Sequence, residues 1–228
     1  RGLPSWYVYH LVQVQRFYLD LLGVPRERFR FAELDEKERA FYNKVHFDIQ
    51  VDQESLGGFR EVGGVHYRTD HDLKGHEAMS KVRQEVTVGT TKVLPHVLEL
   101  SFGVDRNVWA LLDLGYTKTD RVVLRLPSRL APMAVAVFPL VSKDGLPERA
   151  EAIYASLRKT IGAFYDDSGS IGKRYARMDE IGTPYCVTVD HDTLEGKGVT
   201  LRERDSQKQV RIAEDRLSST LASLRTGE

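Results

Sequence analysis

Residues 45–51, Val-His-Phe-Asp-Ile-Gln-Val, alternate apolar and polar without a break. That is the pattern of a strand with one face in a core and the other outside it. A second such run, Phe59–Tyr67, follows closely, and inside it Gly63-Gly64 marks a bulge or a close approach of two backbones. Further strands are predicted over Arg28–Leu34 and Val93–Gly103. Helices are predicted over residues 4–22, stopped by Gly23 and Pro25, over Asp35–Asn43 with an acidic first turn, over Asp70–Lys81 and over Asp105–Leu114. With few crossover helices between strands, this half predicts an α+β unit, an antiparallel sheet with helices packed on one side.

After about Asp120 the pattern changes. Strands are predicted at Val135–Leu140, Ala163–Asp166, Tyr185–Asp190 and Val199–Arg204, and helices at Leu146–Thr160, Ile171–Ile181 and Ala213–Leu224. Strand and helix now alternate, which predicts an α/β domain of two or three layers with a mixed sheet. Two domains are expected, 1–120 and 121–228.

Of the 228 residues 41% are apolar and 29% charged, so both halves can build a core. Thirty-three basic and 33 acidic residues cancel, and any nucleic-acid contact must come from a local patch. Cys186 is the one cysteine, which excludes an internal disulfide and a cysteine-based zinc site and suits a reducing cytoplasm. No apolar run approaches the roughly 20 residues that span a bilayer, so no membrane partner is expected. No signal peptide opens the chain, and its first residue, Arg1, predicts a fragment or a processed product. His66, His71 and His76 are five apart, which is not the i, i+4 pairing of helical metal ligands, and no protein-only metal site is expected.

Four segments carry a resemblance. Glu99-Leu-Ser101-Phe-Gly103-Val104-Asp105-Arg106 resembles motif three of the class II aminoacyl-tRNA synthetases in the form found among glycyl-tRNA synthetases. Arg60-Glu61-Val62-Gly63-Gly64 through Arg68-Thr-Asp70-His-Asp72-Leu73 resembles a strand of the same family, in its archaeal/eukaryotic type, and Glu38–Lys44 resembles a further segment of it. Asp166–Gly182, with Arg202-Glu-Arg204-Asp-Ser206, resembles its anticodon-binding domain. Arg28–Glu33 superficially matches the Arg-x-Glu core of motif two but sits in the wrong context.

The resemblance implies a glycine–tRNA ligase using ATP and Mg2+. Residues 1–120 would be the C-terminal part of its catalytic domain and 121–228 its anticodon-binding domain. Arg106 and Glu99 would be the catalytic residues. Glu61, Val62, Gly103, Val104, Asp105 and Arg106 would bind ATP, and Glu99, Ser101 and Gly103 would bind glycine. Arg106 is a permanently charged plane suited to stacking on adenine and reaching a phosphate. Magnesium would arrive with ATP, with Glu99 a further ligand for it. Lys173, Arg174, Arg177, Arg202 and Arg204 would bind glycine tRNA, with Tyr165 a further candidate. The parent would be a cytoplasmic homodimer.

Each site has a plainer alternative. Arg106 at a helix start is an ordinary ion-pair residue, Glu99 a structural carboxylate for Arg68 or Arg106, and Lys173–Arg177 a solvated helix face paired with Asp179 and Glu180. Motifs one and two are not found, so this chain alone is expected not to activate glycine. A catalytically silent, nucleic-acid-binding relative is the alternative function.

Overall fold

The computed structural model describes residues 3–226, and the chain divides between Leu114 and Gly115 into two units. In the first, α1 (Leu3–Arg16) widens into a π-helical turn over Phe17–Leu21. Strands β1 (Phe29–Glu33), β2 (Val45–Gln53) and β3 (Gly58–Thr69) follow, then α2 (His71–Ser80), a hairpin of β4 (Val86–Val88) and β5 (Thr91–Val93), β6 (Val97–Phe102) and α3 (Val104–Gly115). Strands β1-β2-β3-β6 form one sheet, antiparallel throughout.

The alternation read in the sequence sorts this sheet into two faces. Ile49, Val51, Val62 and Val65 are fully buried, packed with Tyr7, Val14 and Tyr18 of the N-terminal helix and Ala110 of α3. Tyr7 donates its hydroxyl to the Val65 carbonyl at 2.7 Å, fixing that helix across the sheet. The opposite face carries His46, Asp48, His66, Arg68, Glu99 and Ser101, brought into rows by the register His46↔His66↔Glu99 and Asp48↔Gly64↔Ser101. Helices cover one face, and these polar side chains lie on the other.

Between Ile49 and Gln50 the register slips, so that Val62 is the extra residue of a β-bulge. Gly63, beside it, is required by proximity: a Cβ there would lie 2.5 Å from the Ser101 carbonyl oxygen. Gly63→Ala is therefore expected to cost about 1–3 kcal/mol by forcing β3 and β6 apart. Chemical denaturation followed by tryptophan emission would measure it, because Trp6 and Trp109 both belong to this unit.

The helix expected over Asp35–Asn43 is not formed. The Asp35 carboxylate accepts from the amides of Lys37 and Glu38 at 2.7 and 3.1 Å, as a helix cap would, but only turns follow. Residues 35–38 are exposed, and a two-turn helix without an apolar face to dock is unstable in water. The β4–β5 hairpin was also unforeseen as a separate element: Val86, Val88 and Val93 are exposed, and Gly89, at φ 63°, makes its tight turn.

The second unit opens with a hairpin, β7 (Tyr116–Lys118) and β8 (Val122–Leu124), where the sequence pattern lapses. Then come β9 (Val135–Pro139), α4 (Leu146–Leu157), β10 (Ala163–Tyr165), α5 (Ile171–Ile181), β11 (Tyr185–Val189), α6 (His191–Leu194), β12 (Val199–Glu203), β13 (Gln209–Ile212) and α7 (Glu214–Thr226). The sheet order is β10-β9-β11-β12-β13, parallel through the first three strands and antiparallel after them, hence mixed. Val135, Val137, Val187 and Val189 pack against Leu146, Ile153 and Leu157 of α4 and Leu217 and Leu221 of α7. Ala136, Phe138 and Cys186 pack against Met178 of α5 on the other face. A strand covered on both sides has no polar face, which is why β9 is apolar from end to end. None of the described helices is long and apolar enough to cross a membrane.

Candidate functional site

The first site is built where the bulge of β3 meets the turn from β6 into α3. The Gly103 amide donates to the Val62 carbonyl at 3.0 Å, prolonging the β3–β6 ladder to the residue that precedes the helix. Asn107 then pins the helix down. Its side-chain amide donates to the carbonyls of Val62 and Gly103, both at 2.8 Å, and its oxygen accepts the Tyr18 hydroxyl at 2.7 Å. Burial pushes the Tyr18 phenol up to about 12, against the opposing effect of the Asn107 bond, so it stays a donor at any ordinary pH. Neither residue stands out in the sequence, because each acts through a partner far away in the chain.

On this support Arg106 projects outward and meets Glu61, Nη1 to Oε2, at 2.9 Å. Both side chains are at least half exposed, so their ion pair is weak and open to exchange for a ligand. Two clefts share this pair. One, of about 270 Å³, adds Val62, Gly63, Ser101 and Gly103; the other, of about 540 Å³, adds Leu56, Arg60, Asp105 and Trp109. A Cβ on Gly103 would press on the Arg106 side chain at 3.2 Å, so glycine leaves the guanidinium its present course. Five residues expected at the nucleotide and amino-acid site (Glu61, Val62, Ser101, Gly103 and Arg106) thus line one cleft. Asp105 lines the other, and Val104 is exposed and lines neither. Arg60 and Trp109 were not anticipated; their only sequence signal was adjacency to the motifs.

Glu99 stands apart. Arg68 holds its Oε2 at 2.5 Å and His66 Nδ1 lies 3.3 Å from its Oε1, so the carboxylate is engaged on both oxygens. Of the two structural partners expected for it, the structure has Arg68 and not Arg106. The Arg68 guanidinium also grips Asp72 through two bonds of 2.7 Å and lies 4.2 Å over the Tyr42 ring. Those bonds to Asp72 and Glu99 raise the Arg68 pKa further, while Asp72, bonded to Arg68, is held below the usual carboxylate range. Burial first, and then His46 beside it, lower the pKa of His66, which is therefore neutral near pH 7. Among the described residues no group of three or more His, Cys, Asp or Glu side chains is placed to hold a metal ion.

The basic residues of the second unit divide sharply. Lys173 is exposed on the first turns of α5 and makes no ion pair among the described residues. Arg177, partly exposed, pairs with Asp166 and donates to the Ser168 carbonyl at 2.8 Å. The expectation that Arg174, Arg202 and Arg204 reach RNA is corrected: each is 2–4% exposed and bonded internally. Arg174 donates to the carbonyls of Pro139, Asp167, Ser168 and Gly169. Arg202 makes a two-pronged pair with Asp179 at 2.9 and 3.0 Å beneath the Tyr175 ring. Arg204 bonds the carbonyls of Gly182 and Leu126 and the Asp205 carboxylate. A buried guanidinium must be fully paired, so these three hold the domain together. The Tyr165 hydroxyl is buried without a hydrogen-bond partner.

Comparison with known proteins adds a second line of observation. The sequence profile of a family described as an anticodon binding domain matches residues 134–224. The chain is 40% identical over 220 residues to a glycine–tRNA ligase of Borrelia hermsii, covering 92% of this chain and 49% of that protein. It is 39% identical over 225 residues to one of Mesoplasma florum and 38% over 234 to one of Thermobifida fusca, covering 95% and 96% of this chain. The chain spans about half the length of these curated relatives. All three are bacterial, and their names do not carry the archaeal/eukaryotic designation expected from the motifs.

Proposed function

We propose, for a chain that is homologous to glycine–tRNA ligases over most of its length and carries an anticodon-binding domain at residues 134–224, the function of the C-terminal half of a glycine–tRNA ligase. In this reading the first unit is the closing part of a class II catalytic domain, of the archaeal/eukaryotic type, and the second recognises glycine tRNA through its anticodon. The observation that carries it is the convergence of Glu61, Val62, Ser101, Gly103 and Arg106, drawn from two motifs some forty residues apart, on one cleft.

Activation joins the glycine carboxylate to the α-phosphate of ATP and expels pyrophosphate, so the protein's task is to position the reactants and compensate charge. Arg106 would leave Glu61 to stack on adenine or meet phosphate oxygens, held in place by the Asn107 clamp. Gly103 would admit the nucleotide without a Cβ in its way. Glu99 would attract the glycine ammonium and Ser101, on the same face of β6, would contact the amino acid. Mg2+ would come with ATP, as hard oxygen ligands of the phosphates suit it better than the few carboxylates here, of which Glu99 is one. The cytoplasmic homodimer belongs to the same proposal.

Purified as this chain, the protein is expected to give no glycine-dependent exchange of pyrophosphate into ATP, because no motif two is present to hold the α-phosphate. Measurable exchange would overturn that assignment of parts. Binding of glycine tRNA should survive in the second unit and discriminate against an altered anticodon; equal affinity for both would sink anticodon reading. Lys173→Ala should weaken binding across all sequences and reduce the salt dependence of log K by about 1.

A further inference from the structure

His66 stands in the centre of the polar face of the first sheet, and three independent contacts fix its ring. Its imidazole folds back along β3 over Gly64, where any Cβ would collide with Nε2. It packs against the cross-strand His46, the ring centres 4.1 Å apart and the planes tilted at 60°. On the other side Nδ1 lies 3.3 Å from Glu99 Oε1 across the β3–β6 register. A side chain so confined, on the strand between two partners, is a bracket for whatever it touches.

We propose that His66 is the positioning residue of Glu99: the imidazole, seated over Gly64 and backed by His46, holds one carboxylate oxygen while Arg68 holds the other. The proposal rests on the reading of Glu99 as the carboxylate that meets the glycine ammonium. Arg68 alone would leave the carboxylate free to rotate about its last torsion and to close both oxygens onto the guanidinium fork, as Asp72 does. The His66 bond prevents this and keeps an oxygen presented on the Ser101 side.

Such a bond fixes which nitrogen carries the proton. A neutral His66 bonded to a carboxylate through Nδ1 must be the Nδ1–H tautomer, the minor form of free imidazole. His46 must be the opposite one: its Nε2 lies 3.1 Å from Asp48 Oδ1, and its Nδ1 lies 3.3 Å from the Asn43 side-chain nitrogen and accepts from it. Two adjacent imidazoles of opposite tautomer are a specific signature, which folding alone does not require.

Long-range proton–nitrogen NMR on the isotope-labelled 228-residue chain near pH 7 reads both tautomers, and the Glu99 side-chain carbon reads the carboxylate. The expected result is Nδ1–H at His66 and Nε2–H at His46, with Glu99→Ala returning His66 to Nε2–H. His66→Ala should move the Glu99 resonance toward that of a free glutamate. His66→Asn, whose amide nitrogen overlays Nδ1, should restore it, and His66→Gln, whose amide overlays Nε2, should not. With glycine as the probe, the Glu99 response should weaken about 10-fold in His66→Ala and recover to within about two-fold in His66→Asn. An Nε2–H tautomer at His66 in the unaltered chain, or a Glu99 resonance indifferent to position 66, would overturn the proposal. A Glu99 signal that glycine never moves would instead refute the glycine assignment, and the tautomers would still decide the role of His66.

Discussion

Alanine at position 179 is expected to lower the stability of the second unit by about 3–5 kcal/mol, the cost of stranding a buried ion-pair partner. Asp179 is 2% exposed, and its two oxygens receive both prongs of Arg202 and a further bond from Arg121. Arg121 continues to the carbonyls of Arg204 and Asp205, so one carboxylate joins α5, β12, the loop after β12 and the segment between β7 and β8. Without it Arg202 keeps its place under Tyr175 but has no anion, in a site that water does not reach. Asp179→Asn should recover little, because the amide is uncharged and its NH2 would face a guanidinium N–H, donor against donor. Adding Arg202→Met to the alanine variant should restore part of the loss, since it removes one of the stranded charges. By contrast Asp192→Ala, which breaks an exposed pair with Lys197, should change stability by less than about 0.5 kcal/mol. Both tryptophans lie in the first unit, so the measurement needs amide hydrogen exchange over residues 171–204 rather than tryptophan emission. A loss below about 1 kcal/mol would mean that solvent compensates the two arginines.

This carboxylate shows where sequence reading stops. Periodicity located every strand of the two main sheets except β13, because each strand's alternation or apolar run reflects its own two faces. The same reasoning failed at Asp35–Asn43, where a capping pattern was present but nothing for a helix to pack on. At the candidate site the motif residues were legible because they lie in two contiguous stretches. Asn107, Tyr18 and His66 were not, since their roles depend on partners 45, 89 and about 30 positions away. Charge was the least legible property of all. Lys173, Arg174 and Arg177 are equivalent in a sequence, yet α5 turns one to solvent, buries the second and pairs the third.

Arg174 is the sharpest instance, and its replacement should separate a structural arginine from an RNA-binding one. Its guanidinium reaches four backbone carbonyls, with Asp167 and Gly169 at 2.8 and 2.7 Å, and thereby closes the 166–170 loop over the end of β9. Arg174→Ala would leave these acceptors to water that has no room in the intact fold, at a cost of about 3 kcal/mol when one to three kcal/mol attends each group that stays unpaired. Arg174→Lys keeps the charge but offers a compact ammonium in place of a planar fork, and should recover less than half of that. RNA binding then tells the two roles apart. Were Arg174 a phosphate contact, lysine would preserve the affinity and alanine would reduce the salt dependence of log K by about 1. With the guanidinium buried, both variants should instead keep the unaltered slope wherever they remain folded. They should lose affinity together, in step with loosening of the loop that carries Asp166, the partner of Arg177. Lys173→Ala, a few ångströms along the same helix, should do the reverse, lowering the slope and leaving the melting temperature unchanged.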